Sequence, residues 1–594
     1  MKYVVLAAIS AVASAMNASL NIKFAATNHT PITGRAFVFL ATSSSAEPRT
    51  LIGDDITTAQ FFGVDVTTFR AGDTVTLDAS TLGYPITSLS LIPAMYGSKE
   101  LMLQAVIQPY KQYKLKDAPP VWLPRTEVNR FEGGDIFTSP GTFYSKPIKV
   151  TLGEGSSHTL VVDQQDAPAP EPPPLPKDTI WIKHVRVTSR LLSEFWGEPV
   201  QLEACVLLPW QFYEKPDVKF PTFLYHGHYH EDWATPAYFS TKPAPAGLTG
   251  YALVQAQYAY ALYQNWTSSD GPFRGARGLI VTVKHPNPYY DDSYAVNSAN
   301  LGPYGDAIMS ELLPEVEARY RGIGEGWARA TYGGSTGGWE SLAVQVFYPD
   351  AFNGCWTFCP DPVSFDRYTT VDIYKDENAY YATGPWKRVP RPAIRDAASN
   401  GIWRGNASTS YGSPFGHVVA TQEEVNLKEL VKGTKARSCD QWDIWQAVFG
   451  PRAADGYVQP IWDKRTGVIN RTVATYWRDH FDLTHILARD WATLGPKLQG
   501  KMHLFVGMSD TYYLNDAVYS LQDFLDNPAT SPPSGATFDF GEHDGRGYEH
   551  CYSGNHGLPN SLGRLTINAR VLPAMAARMA ATAPAGADLR WNEY

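Results

Sequence analysis

Ala330-Thr-Tyr-Gly-Gly-Ser335-Thr-Gly-Gly-Trp-Glu340 is the stretch that decides how this chain folds. It contains Gly-x-Ser-x-Gly at Gly333, Ser335 and Gly337. Alone that pattern is weak, because a glycine-rich structural turn has the same composition. The flanks decide. Ala328 to Tyr332 read as a short strand, and Trp339, Leu342, Ala343 and Val346 follow at helical spacing until Pro349. A strand that turns sharply into a helix exposes the serine oxygen on a strained turn, and glycines on either side let the backbones pack closely. The helix start also favours a developing negative charge. Ser335 is therefore the candidate nucleophile.

Working outward, strand-like segments (Gln201 to Leu208, Thr222 to Tyr225, Leu279 to Val283) give way to a regular alternation. A helix from about Gly305 to Tyr320 precedes the strand before Ser335, and a strand from Gly354 to Cys359 follows the elbow helix. Strand Met502 to Val506, helix Leu514 to Asp526, strand Ala536 to Phe540 and a helix from about Arg564 complete the series. Such alternation predicts a mostly parallel sheet covered by helices. Between Cys359 and Met502 lie about 140 residues, too many for a plain connection. They carry helical pieces at Gln422 to Val431, Asp440 to Phe449 and Val473 to Leu494, and read as a cap over about 362–500. Above the carboxyl ends of the strands, such a cap would shape a substrate pocket.

A serine hydroxyl needs a base, and the base an orienting carboxylate, here expected in the order Ser, acid, His. Asp510 closes Phe505-Val-Gly-Met-Ser-Asp510 beyond a strand and is the favoured acid; Asp361, at the end of the preceding strand, is its rival. Past the final strand, Gly541-Glu-His543-Asp-Gly-Arg-Gly-Tyr-Glu-His550 supplies two histidines. His550 is favoured, because the glycine-containing run before it can swing inward; His543 is the alternative. Near the start of the sheet, Phe223-Leu-Tyr-His226-Gly-His228-Tyr-His230-Glu-Asp232 is placed for an oxyanion loop. The backbone N–H groups near Gly227 and His228 would join that of Thr336. Its three alternating histidines and two acids could instead bind zinc. A serine mechanism requires no metal or other cofactor, and none is expected.

The chain from roughly Ile182 to the C-terminal helix resembles an esterase family of the α/β-hydrolase superfamily, the one including esterase D and enterochelin-esterase-like proteins. Four segments carry the resemblance: Ser189-Arg-Leu-Leu-Ser-Glu-Phe-Trp-Gly197, Asp292-Ser-Tyr-Ala-Val-Asn-Ser-Ala-Asn-Leu-Gly-Pro-Tyr-Gly-Asp306, Gly333-Gly-Ser-Thr-Gly-Gly-Trp339 and Gly507-Met-Ser-Asp-Thr-Tyr-Tyr-Leu-Asn515. The second and fourth flank the elbow, and the elbow and the fourth are the most specific. The resemblance implies an α/β-hydrolase sheet and hydrolysis of a carboxylic ester through an acyl-enzyme at Ser335, with Asp510 and a C-terminal histidine as partners. Members act on acetylated or feruloylated sugars, thioesters and siderophores, so the ester, small or polymer-linked, stays open. An acyltransferase with the same triad and a non-catalytic hydrolase-like binding protein are the alternatives.

The remaining sequence sets this unit in context. From about Leu20 to Val162, short β-type pieces broken by Gly, Pro, Asp and Ser predict a β-sandwich, so residues 16–165 form an N-terminal domain. The proline-rich run 166–177 is an extended spacer, and 178–594 hold the hydrolase-like unit. Met1, Lys2, an apolar stretch from Tyr3 and the small-residue end Ala13-Ser14-Ala15 have the layout of a signal peptide, 1–15, predicting secretion. Five sequons (Asn17, Asn28, Asn265, Asn406, Asn470) are compatible with glycosylation. No apolar run is long enough to span a bilayer. A net charge of −9 without a long run of one sign leaves no footprint for nucleic acid. Five cysteines make no disulfide scaffold. Cys355 and Cys359, about 13 Å apart along one strand, cannot bridge each other without distortion. The oligomeric state is not legible.

Overall fold

The computed structural model describes residues 18–26, 29–42, 46–53, 57–96, 99–125, 136–168, 174–227, 239–396, 417–508, 510–540 and 564–593. Its architecture is mixed α/β, with two large sheets. The C-terminal sheet has eight strands: β1 (Ile182–Ser189), β2 (Val200–Leu207), β3 (Thr222–His226), β4 (Leu279–Lys284), β5 (Arg329–Gly334), β6 (Cys355–Phe358), β7 (Met502–Phe505) and β8 (Thr537–Asp539). They lie in the order β1-β2-β4-β3-β5-β6-β7-β8. β2 runs antiparallel to both its neighbours, and every other pairing is parallel. The central strands β3, β4 and β6 are buried along their whole length, as expected for parallel strands covered on both faces. Order reverses at β3, whose carboxyl end meets that of β5, and this is where an open α/β sheet binds ligands. One mixed sheet with a helix-capped elbow at β5 is the arrangement expected of an α/β-hydrolase core.

The elbow helix α1 (Thr336–Phe347) is buried nearly throughout. Within the 362–500 region, helices α2 (Gln422–Lys432) and α3 (Gln441–Phe449) form as expected. The helix expected over Val473–Leu494 is two, Arg471–His480 and α4 (Leu483–Leu498). Asp482 divides them: its side chain accepts the His485 N–H and caps the second, an intrinsic N-cap signal stronger than the continuing apolar period. Because α4 packs beside α1, it is a crossover helix of the sheet rather than part of a lid. The helix expected from about Gly305 to Tyr320 forms over Tyr304–Arg319, with a π-helical segment at Ile308–Leu312 in its middle.

The N-terminal unit is mainly β, with a short α-helix at Ile92–Tyr96. Its first strand, Ser19–Phe24, buries alternate residues Leu20, Ile22 and Phe24 completely, the period expected of a strand with one inward face. Where a sandwich would show two sheets, hydrogen bonding runs without a break through nine strands. Leu20 and Leu77 from one end of this sheet share a core with Val38, Phe62 and Leu103 from the other, so the sheet curls round it. Strand Ile32–Ala41 is buried on both faces. Its second face carries Phe37 and Phe39, which pack with Phe61, Val106 and Phe137 against Val431 and Cys439 of the 362–500 region. Arg35 completes this contact: its guanidinium donates to the carbonyls of Val431 (2.8 Å) and Leu430 (3.1 Å) at the end of α2 and to Asp65 (2.8 Å). A cation there satisfies carbonyls that the helix leaves unpaired. Among the described residues no helix is long and apolar enough to cross a membrane.

Candidate active site

Ser335 joins β5 to α1 with φ 59° and ψ −123°, a conformation that costs energy for any residue with a side chain and persists only where its surroundings enforce it. The enforcement is visible. Ser335 N–H donates to the Phe358 carbonyl of β6 (2.9 Å), and the Ser335 carbonyl accepts from Gly338 (2.9 Å), Trp339 (3.1 Å) and Asp361 (3.3 Å). A serine at a helix start commonly caps the helix, yet this hydroxyl makes no such bond. A Cβ at Gly333 would stand 2.5 Å from the His226 carbonyl oxygen, and one at Gly337 only 2.3 Å from it. Backbone cannot yield there, so both positions require glycine. The Gly337 site also lies 3.0 Å from the Gly227 nitrogen, which brings the Gly227 amide beside the first turn of α1. His228, expected to share this role, lies outside the described residues.

The two candidate acids have different surroundings. Asp510 is fully buried after β7, and its Oδ1 accepts from the backbone N–H groups of Tyr512 (2.8 Å) and Leu514 (3.2 Å). Its loop is clamped by Arg395, which donates to the Asp510 carbonyl (2.8 Å) and the Asn515 side chain (3.2 Å) and stacks 4.3 Å above the Tyr513 ring. Asp361 directs Oδ2 toward four neutral donors: Tyr294 Oη (2.6 Å), Thr336 Oγ1 (3.0 Å), Trp445 Nε1 (3.1 Å) and, at 3.5 Å, Gln441 Nε2. Trp445 and Gln441 lie on α3, so Asp361 ties the 362–500 region to the residue after the nucleophile. Burial, reinforced by the Asp361 charge, pushes the Tyr294 phenol well above its ordinary range, keeping it a donor. Asp361 thus has a bracing role that the sequence did not reveal. His543 and His550 lie outside the described residues.

His226, the first histidine of the alternating cluster, is not presented for zinc. β3 is central, so His226 is buried, with Nδ1 3.0 Å from Glu340 Oε2 on α1. Burial lowers the imidazole to about 3, leaving it neutral. His230, Glu231 and Asp232 lie outside the described residues. Cys359 is disulfide-bonded, whereas Cys355, four residues earlier, is not.

No protein-family model matches this chain, and no curated protein matches it. Solved structures similar to it include a ferulic acid esterase, at 14% identity over 67% of this chain and 98% of that one, with a TM-score of 0.35. An S-formylglutathione hydrolase from Agrobacterium tumefaciens is 10% identical over 68% and 99% of the two chains, with a TM-score of 0.33. The fluorophosphonate-binding serine hydrolase FphF of Staphylococcus aureus is 13% identical over 66% and 98%, with a TM-score of 0.32. At these scores the likeness carries no argument about chemistry, which rests on the elbow itself.

Proposed function

We propose that this chain is a serine hydrolase of the carboxylesterase type, with Ser335 as nucleophile. One observation carries the reading: Ser335 is held in a strained backbone conformation at the end of β5, uncapped, with the Gly227 nitrogen packed against Gly337 two residues on. In the proposed cycle, His550 takes the Ser335 proton while Oγ attacks the ester carbonyl. The resulting oxyanion is held by the amides of Thr336, Gly227 and His228. Collapse expels the alcohol with the proton returned by the histidine, and water then releases the acid by the same steps in reverse. Asp510 orients the histidine, while His543 is the alternative base and Asp361 the alternative acid. The 362–500 region, apart from α4, serves as a cap that shapes the ester site. Residues 1–15 act as a signal peptide, so the mature enzyme works outside the cell, with the β-domain 16–165 bracing the cap.

The test is hydrolysis of 4-nitrophenyl acetate by the wild-type protein and by Ser335→Ala. Loss of at least about 1,000-fold in kcat is expected for Ser335→Ala, and a similar loss for His550→Ala with a much smaller one for His543→Ala. Undiminished hydrolysis by folded Ser335→Ala would contradict the proposal.

A further inference from the structure

Behind the elbow, three elements bring together a buried carboxyl and two buried histidines that the proposed cycle does not use. Glu340 stands on α1 five residues after the nucleophile, His226 ends β3, and His285 follows β4; all three are at most 1% exposed. Tautomer assignment follows from the partners. His285 Nδ1 accepts the Ser293 backbone N–H at 2.9 Å, so the ring proton is on Nε2, which faces Glu340 Oε1 at 3.8 Å. The second carboxyl oxygen, Oε2, lies 3.0 Å from His226 Nδ1, within hydrogen-bonding reach though bent from the ideal direction. Burial and the nearby Asp361 charge push Glu340 well above the usual carboxylate range, while burial lowers His226 to about 3. Both shifts favour a protonated carboxyl donating to a neutral imidazole.

The location gives this contact a consequence. The His226 carbonyl presses on Gly333 and Gly337, and the next residue is Gly227. We propose that Glu340 is a positioning residue for the oxyanion loop: its carboxyl, 3.0 Å from His226 Nδ1, holds His226, and through it the Gly227 amide, against the first turn of α1. The inference rests on Ser335 being the nucleophile. A protonated glutamic acid shares with glutamine a donor that can reach His226. Leucine has none.

The experiment compares 4-nitrophenyl acetate hydrolysis by wild type, Glu340→Gln, Glu340→Leu, His226→Asn and Ser335→Ala, with thermal melting as the check on folding. Glu340→Leu and His226→Asn are expected to lose about tenfold or more in kcat, the scale of a misplaced oxyanion donor, with KM within about twofold. Glu340→Gln should stay within about threefold of wild type on both constants. Wild-type kcat in Glu340→Leu, or an equal loss in Glu340→Gln, overturns the proposal. If Glu340→Leu does not fold, wild-type kcat in folded His226→Asn does the same. Activity persisting in Ser335→Ala would instead overturn the serine mechanism, so the two failures are distinct.

Discussion

The 362–500 region is held at two places by two kinds of carboxylate. On the catalytic side, Asp361 is buried and receives the neutral donors of Tyr294, Thr336, Trp445 and Gln441. On the N-terminal side, Asp65 is partly exposed and lies between two guanidinium groups, Arg35 at 2.8 Å and Arg437 at 3.1 Å. A carboxylate among neutral donors is insulated from salt and water, whereas one between cations near the surface is screened. The contrast separates what fixes the site from what braces it. Donors around Asp361 hold Thr336, the residue proposed to supply an oxyanion amide; the ion pairs at Asp65 secure the β-domain to the back of the same insertion.

Breaking the first contact should have the larger effect. Asp361→Ala removes the shared acceptor of the buried Tyr294, Thr336 and Trp445 donors, and the expected destabilisation is about 3–5 kcal/mol. Denaturant melting reads that loss, and the comparison with Asp361→Asn sharpens it, since the amide oxygen can still accept. If Asp361→Ala melts like wild type, the bracing role is wrong.

The second contact should respond to acid. Burial alone would raise Asp65, but the charges of Arg35 and Arg437 outweigh it and hold the carboxyl below its usual 3.8. A depressed carboxyl stabilises the folded form above its unfolded pKa and loses that contribution as pH falls through the folded value. The β-domain contact is therefore intact above about pH 4 and weakens below it. Hydrogen exchange in strand Gln60–Phe69 and at the end of α2 should accelerate between about pH 4 and 2 in wild type. Asp65→Asn, already lacking the charge, should show a smaller change over that interval. Equal acid responses in the two proteins would dismiss the ion pairs as the brace.

Ser335 was legible because its information is local: a short apolar strand, two glycines and a helical period lie within twenty residues. Its close packing on His226 follows from the same glycines. Asp361 was legible only as a carboxylate at a strand end, because its partners Tyr294, Gln441 and Trp445 come from 67, 80 and 84 residues away in sequence. His226 looked like one of three alternating exposed histidines. Its burial depends on β3 being enclosed by β4 and β5, which is topology rather than pattern. The continuous curl of the N-terminal sheet was hidden for a similar reason: Ser19–Phe24 pairs in parallel with Ser157–Gln165, at the far end of the domain. Local alternation gives each strand an inward face but does not say which strand lies beside it.

The central claim is that Ser335 forms a covalent bond with its substrate, and covalent capture tests it most directly. The protein should be treated with a fluorophosphonate, digested and mapped by mass spectrometry. A single adduct on Ser335, absent from Ser335→Ala and blocked by prior unfolding, is the predicted result. An unlabelled Ser335 in folded protein that cleaves esters, or an adduct elsewhere that tracks activity, would contradict the account.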